Sequence, residues 1–406
     1  MKKIKLLSFF LCLAALFVAC EEEENTEPVV GSRTVLVYIA ANNSLGKLNF
    51  DSKDVKEMIE GMKNVEGTKN NLLVYLAPYN ESAKLIRLIK NGKGEVKQEL
   101  VRKYDKQNSV SVGVMKDVFR TAFSNYPADS YGIVFWSHGD GWIPYDNKPD
   151  TRWWGQDIDG DRSDSRMNIS DLNEALAAAP HLDFILFDAC FMQSVEVIYQ
   201  LREHADYFIS SPTEIPGPGA PYEAVVPALF SQDKPEINIA KSYYTVYANK
   251  YDKEGRGMSN DNWTGGVSIS VVKSSELPAL ATATKEILQT ANTMKQYHKI
   301  DLTDILCYDP WREKNYYDLM GVMQKVQENT QAFENYKNAY NNTVIWKNST
   351  DNNYCTYSSG IGKMTSMKGF EGLSTYILSD SETKQNIYYR QSVEWYSAAG
   401  WDKTGW

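Results

Sequence analysis

The stretch Leu182-Asp-Phe-Ile-Leu-Phe-Asp188-Ala-Cys190-Phe-Met-Gln-Ser-Val-Glu196 decides the fold. Its apolar run, Phe184 to Phe187, reads as a buried parallel strand, because such a sheet has both faces covered by helices. The run ends abruptly at Asp188-Ala189-Cys190, and Val195, Ile198 and Tyr199 then come at helical spacing. Cys190 is therefore expected where a strand stops and a helix begins, at the carboxyl edge where open α/β sheets place their chemistry. A second segment, Tyr131-Gly-Ile-Val-Phe-Trp-Ser-His138-Gly139-Asp140-Gly141, has the same grammar. Two strand ends, one carrying His and one carrying Cys, are a candidate nucleophile and its proton partner.

Outward from these strands the chain alternates. Arg33 to Ala41 reads as a first strand, followed by an amphipathic helix through Leu48, Val55, Met58, Ile59 and Met62. Leu72–Leu76 is a second strand, and Asn91-Gly92 is the turn dipeptide of a hairpin between Lys84–Lys90 and Gly94–Val101. Ser109 opens a helix that leads to the His138 strand, and Ser170-Asp-Leu-Asn-Glu174 caps a short helix before the Cys190 strand. Asp206–Ser210, a helix over 237–250 and a strand over 265–272 continue the pattern. Strand-helix alternation of this kind means a mostly parallel sheet covered on both faces. Beyond residue 273 the chain reads as helix-rich, with a late β segment near Gly372–Leu378.

Composition narrows the function classes. The formal charge of −9 over 406 residues, with no basic cluster, argues against nucleic acid as a partner. Residues 1–20 read as an export signal, with Lys2, Lys3 and Lys5 before the apolar Leu6–Val18 and an ending Val18-Ala19-Cys20 suited to lipid attachment at Cys20. Residues 21–32, opening with four glutamates, read as a tether. The expected setting is an exported lipoprotein, at the outer membrane or cell surface of a Gram-negative bacterium. Of five cysteines, Cys190, Cys307 and Cys355 lie beyond this segment. In an oxidising envelope Cys307 and Cys355 could pair, leaving Cys190 odd. No CxxC or HExxH spacing argues for zinc.

The long Gly- and Asp-rich segment 140–168 lacks periodicity, and such loops are often functional. Asp157, Asp159 and Asp161 place hard oxygen ligands at alternate positions, a weak candidate calcium site. The chemistry at Cys190 and His138 itself needs only a thiolate, a proton donor and oxyanion donors. His138 titrates near neutrality, and the N–H groups of Gly139 and Cys190 could hold an oxyanion. A helix N-terminus at Cys190 would favour the thiolate. Asp188, two residues before Cys190 and on the same strand face, could clamp a basic substrate side chain. Glu214 could contribute a second acidic group there, with solvated surface as the competing reading.

These residues also resemble a known family. The strand ends at Ser137-His138-Gly139-Asp140-Gly141 and Asp188-Ala189-Cys190-Phe-Met-Gln-Ser, the first strand Tyr38-Ile-Ala-Ala-Asn42, the Asp-rich loop before Ser170 and the Pro-Gly loop ending in Tyr222 are similar to the clostripain family of cysteine peptidases. Gingipains, legumains and caspases are its relatives. The resemblance spans residues 33–272 and implies a caspase-like α/β/α sandwich core, with 273–406 as a helix-rich extension packed on it. It implies His138 and Cys190 as a catalytic dyad and Asp188 as the base of a pocket for Arg, and for Lys after it. Relatives that cut themselves do so after a basic residue in the loop beyond the histidine, where Lys148 and Arg152 stand. Family members can also depend on calcium. The chain departs from the family at Ala220, where an aromatic residue is usual, so substrate preference is the property left open. The competing class is a non-catalytic surface lipoprotein that binds peptide or glycan with its Trp- and Tyr-rich loops, a module with no reason to keep the His138/Gly139/Cys190 set.

Overall fold

The computed structural model describes residues 31–67, 69–143, 153–159, 163–259, 262–290, 302–327, 330–358, 361–378 and 382–404. Cys20, Lys148, Arg152 and Asp161 lie outside them, as does the side chain of Asp159. Nine strands form one sheet. In spatial order they are Val344–Ser349, Ser268–Lys273, Ala205–Ser210, Leu182–Asp188, Ala128–Trp136, Gly31–Ala40, Asn71–Ala77, Lys84–Lys90 and Val96–Lys103. The five strands in the middle run parallel, and two antiparallel strands close each side.

The alternation of the first strand shows why both faces are covered. Leu36, Tyr38 and Ala40 enter one buried cluster, and Val35, Val37 and Ile39 enter another. Helices Phe50–Lys63, Tyr222–Leu229 and Pro235–Lys250 cover the second face, each placing apolar residues in its cluster. Helices Val112–Asn125, Ile169–Leu176 and Val195–Leu201 cover the first. The segment beyond residue 273 builds on that same face through helices Leu277–Thr290, Leu319–Val326 and Gln331–Thr343. The result is a caspase-like α/β/α sandwich.

Several local readings shift. The hairpin between Lys84–Lys90 and Val96–Lys103 closes on a longer loop than a two-residue Asn-Gly turn: Asn91 N–H donates to Glu95 O, and Gly94 carries the left-handed φ of 83°. Helix Val112–Asn125 is capped by Ser111, whose Oγ accepts from Val114 N–H, because Ser109 is buried elsewhere. The segment 140–168 contains a hairpin, Trp154–Asp159 with Ser163–Met167. After residue 273 the chain supplies helices and also strands: Val344–Ser349 joins the main sheet, and Asn352–Ser358 pairs with Ile361–Ser366. Cys307 and Cys355 are free thiols in place of a disulfide; Cys307 Sγ donates to Asp309 Oδ1, and Cys355 Sγ lies 3.7 Å from Thr213 Oγ1.

Candidate active site

Four adjacent parallel strands end on one edge of the sheet, and the turns beyond them meet there. Gly31–Ala40 leads to Asn42-Asn43-Ser44, Ala128–Trp136 to His138, Leu182–Asp188 to Cys190, and Ala205–Ser210 to the Glu214–Gly219 loop. Leu45, just beyond the first of these turns, and residues of the other three line a cleft of about 500 Å³ that includes His138, Gly139, Asp188, Cys190, Glu214 and Trp136. The segment beyond residue 273 completes the wall with Arg312, Tyr354 and Thr356.

The Cys190 turn differs from a strand running directly into a helix. The next helix starts at Val195, capped by Ser194, so the thiol does not sit at a helix N-terminus. Phe191 instead takes the left-handed region at φ 60°, a conformation worth about 1–3 kcal/mol of strain in a non-glycine residue. Two backbone bonds hold it, Phe191 N–H to Thr213 O at 2.9 Å and Gln193 N–H to Ser211 O at 3.0 Å. Burial and the nearby Glu214 charge push the Cys190 thiol well up, opposed by the Ile215 N–H that donates to Sγ. Burial, seconded by the Arg166 charge, lowers His138 to about 4. Both shifts favour the neutral forms, a thiol and an uncharged imidazole that line one cleft.

The His138 turn is shaped by close approach. A Cβ on Gly139 would meet Ala189 Cβ at 2.8 Å and the Cys190 carbonyl oxygen at 2.9 Å. Gly141 sits at φ 82°, and a Cβ there would strike the Tyr316 hydroxyl. Asp140 between them takes a bidentate pair from Arg312, Nη1 and Nη2 donating at 2.8 and 2.9 Å. Each glycine of the His-Gly-Asp-Gly run thus has a steric reason. His138 Nε2 lies 2.8 Å from Ser44 Oγ.

Asp188 is buried, 2% exposed. Its Oδ2 accepts from Ala220 N–H at 3.0 Å and the Tyr222 hydroxyl at 2.9 Å, and its Oδ1 from the Tyr243 hydroxyl at 3.1 Å. Burial raises it to about 6 although all three bonds favour the carboxylate. It lines the same cleft as Cys190, beneath the Pro216–Gly219 loop. Trp136 forms another wall and is held by its indole N–H to Asp54 Oδ2 at 2.6 Å.

Other sequence candidates move. Of the two readings of Glu214 the structure favours an acidic group at the cleft over solvated surface: its carboxylate lines the cleft, accepts from Thr356 N–H and Oγ1, and is raised by burial. Asp157 accepts from Asn42 Nδ2 at 2.7 Å and from Ser109 N–H and Oγ at 2.7 and 2.6 Å. These bonds engage both carboxylate oxygens in joining three segments, which gives Asp157 a structural role of its own. Among the described residues no group of three or more His, Cys, Asp or Glu side chains could hold a metal ion. Ser44, Arg312, Tyr354 and Thr356 carry no sequence signal for the site. Their places come from chain crossings that no periodicity announces.

A cleft that gathers a strand-end histidine and a strand-end cysteine on such a sheet has the makings of a cysteine hydrolase. Similarity to known proteins sharpens that class. The clostripain family model, peptidase family C11, matches residues 37–406. Clostripain of Hathewaya histolytica is 22% identical over 408 residues, covering 88% of this chain and 76% of that protein. Among solved structures, a secreted C11 cysteine protease from Bacteroides thetaiotaomicron in complex with an irreversible peptide inhibitor is 64% identical. The match covers 92% of this chain and 100% of that one, with a TM-score of 0.85. An inactive zymogen C11 protease from Parabacteroides distasonis is 30% identical, covering 92% and 99%, with a TM-score of 0.77. The chain belongs to the clostripain family and is a cysteine peptidase, a hydrolase whose chemistry needs no cofactor.

Proposed function

We propose that this peptidase cuts peptide bonds after Arg, and after Lys less readily, with Cys190 as nucleophile and His138 as the proton carrier. The observation that carries the reading is the buried Asp188 carboxylate in the cleft that His138, Gly139 and Cys190 also line. A cationic side chain entering that cleft meets a desolvated anion, and a guanidinium suits its planar geometry.

The residues then have defined tasks. Because the resting pair is neutral, the thiol proton passes to His138 as Sγ attacks the scissile carbonyl carbon. The N–H groups of Gly139 and Cys190 are the candidate donors to the oxyanion, each worth roughly 10²–10³ in rate. The imidazolium returns its proton to the leaving amine as the C–N bond breaks, leaving a thioester. Water, deprotonated by the same imidazole, attacks the thioester carbonyl and releases the acid and the thiol. We also propose that Cys20 is the lipid-bearing residue of an exported lipoprotein, and that Lys148 or Arg152 is a self-cleavage site. A Cys190→Ala protein that nicks like wild type would remove the self-cleavage reading.

The test is hydrolysis of fluorogenic peptides ending in Arg, Lys, Asp or Ala by protein from residue 21 onward, alongside Cys190→Ala. Cleavage of the arginyl and lysyl peptides, lost in the variant, is expected. Equal cleavage of the Asp and Ala peptides would discard Asp188 as the specificity group. Activity surviving Cys190→Ala would discard the nucleophile.

A further inference from the structure

Ser44 is an exposed serine that opens a four-residue helix, Ser44–Lys47, after an asparagine pair. A serine so placed has an ordinary explanation as a helix cap, yet the capping is done by its neighbour. Asn43 Oδ1 accepts from Leu45 N–H, and Asn43 Nδ2 donates to Ala40 O, Gln156 O and Ser137 Oγ. Ser137, the residue before His138, in turn donates to Ala40 O at 2.8 Å. The turn bearing Ser44 and the turn bearing His138 are thereby tied into one buried cluster. The Ser44 hydroxyl, relieved of capping, lies 2.8 Å from His138 Nε2.

An imidazole has two nitrogens and uses them on opposite sides. With Nε2 taken by Ser44, proton exchange with Cys190 and with the leaving amine falls to Nδ1. To accept the thiol proton Nδ1 must be bare, so the mobile proton of the neutral ring sits on Nε2 and is donated to Ser44 Oγ. We infer that Ser44 is a positioning residue: its hydroxyl holds the His138 ring in the Nε2–H tautomer and steadies the imidazolium formed when Cys190 attacks. The inference rests on the reading of His138 as the proton carrier. Among the described residues, the charged groups that act on the ring are Arg166, which disfavours the imidazolium, and Asp164, which favours it. These two pair with each other at 2.6 Å, so an acceptor aimed at Nε2 has a definite task when the ring becomes charged.

The test compares Ser44→Ala, Ser44→Thr and His138→Ala with wild type in the full chain. For Ser44→Ala kcat on an arginyl peptide is expected to fall roughly ten- to 150-fold, the rate equivalent of one hydrogen bond to a charged partner, with KM unchanged within about twofold. Ser44→Thr, which keeps the hydroxyl, should recover most of that loss. Long-range ¹H–¹⁵N spectra of the Cys190→Ala protein give an independent readout. The chain has four histidines, so the His138 signals are assigned by their loss in the His138→Ala background. The Nε2–H tautomer is expected with Ser44 present, and a mixture in Ser44→Ala. Unchanged or raised kcat in Ser44→Ala, or an Nδ1–H tautomer with Ser44 present, would overturn the inference. Activity surviving His138→Ala would remove the underlying reading instead.

Discussion

Replacing Asp188 by Asn separates the proposed substrate-binding role of this carboxylate from its effect on folding. The two side chains have nearly the same shape, and the three donors can be kept. The amide oxygen can face Ala220 N–H and the Tyr222 hydroxyl, while the amide NH₂ faces the Tyr243 hydroxyl, whose oxygen can accept. What disappears is the charge. Removing one member of a buried ion pair costs about 3–5 kcal/mol, so kcat/KM for an arginyl peptide should fall roughly 10²–10⁴-fold. An otherwise identical citrullinyl peptide, neutral but isosteric, should change far less. Stability moves the other way. Burial lifts Asp188 from its ordinary 3.8 to about 6, so the folded protein holds this proton more tightly than the unfolded chain does. The contribution is fully present below 3.8 and is lost as pH rises through 6, amounting to about 3 kcal/mol. Asp188→Asn should therefore melt at or above wild type at pH 7.5, with the advantage gone at pH 4. The same titration gives wild-type kcat/KM an acidic limb near pH 6 that the variant lacks. Thermal melts at both pH values and paired kinetics on the two peptides check this. A variant that keeps its arginyl activity, or melts well below wild type at pH 7.5, would refute the reasoning.

Three further outcomes are expected, two from the same geometry and one from the sequence. With the Cys190 thiol pushed up and His138 lowered to about 4, inactivation by iodoacetamide should climb steadily from pH 6 to 9; a flat rate over pH 5–8 would mean a resting thiolate-imidazolium pair instead. Gly139→Ala brings a methyl within 2.8 Å of Ala189 Cβ and 2.9 Å of the Cys190 carbonyl, so it should destabilise by about 1–3 kcal/mol and reduce kcat more than a hundredfold, read by melting and kinetics. Cys20→Ser should abolish metabolic labelling by a fatty acid and release the chain from the membrane fraction; a variant still labelled would show that the lipid is elsewhere.

Much of the fold is legible in the sequence because buried parallel strands are written as continuous apolar runs. Leu72–Leu76, Ile133–Trp136 and Phe184–Phe187 all fall inside strands of the central sheet. Their order then puts His138 and Cys190 on one edge, since parallel strands all deliver their ends to the same side. The turn after Cys190 is less legible. The helical spacing of Val195, Ile198 and Tyr199 is real, but four residues from Phe191 to Ser194 intervene, with Phe191 in a left-handed conformation that its residue type does not advertise. The role of Glu214 depends on Thr356, 142 residues away, which buries a carboxylate that would otherwise face water. Asp157 reads as a candidate ligand from its alternate spacing, but Asn42 and Ser109 reach it from segments 115 and 48 residues distant. Periodicity describes what one segment buries. It is silent on which distant side chain arrives to satisfy a polar group.

The central claim is tested most directly by treating the protein with a peptide chloromethyl ketone ending in Arg and mapping the adduct by mass spectrometry. Among the described residues three free thiols, Cys190, Cys307 and Cys355, compete for the reagent. The account predicts one adduct per chain, on Cys190, formed in step with loss of activity and slowed by Asp188→Asn. An adduct on Cys307 or Cys355, or lost activity with Cys190 unmodified, would contradict it.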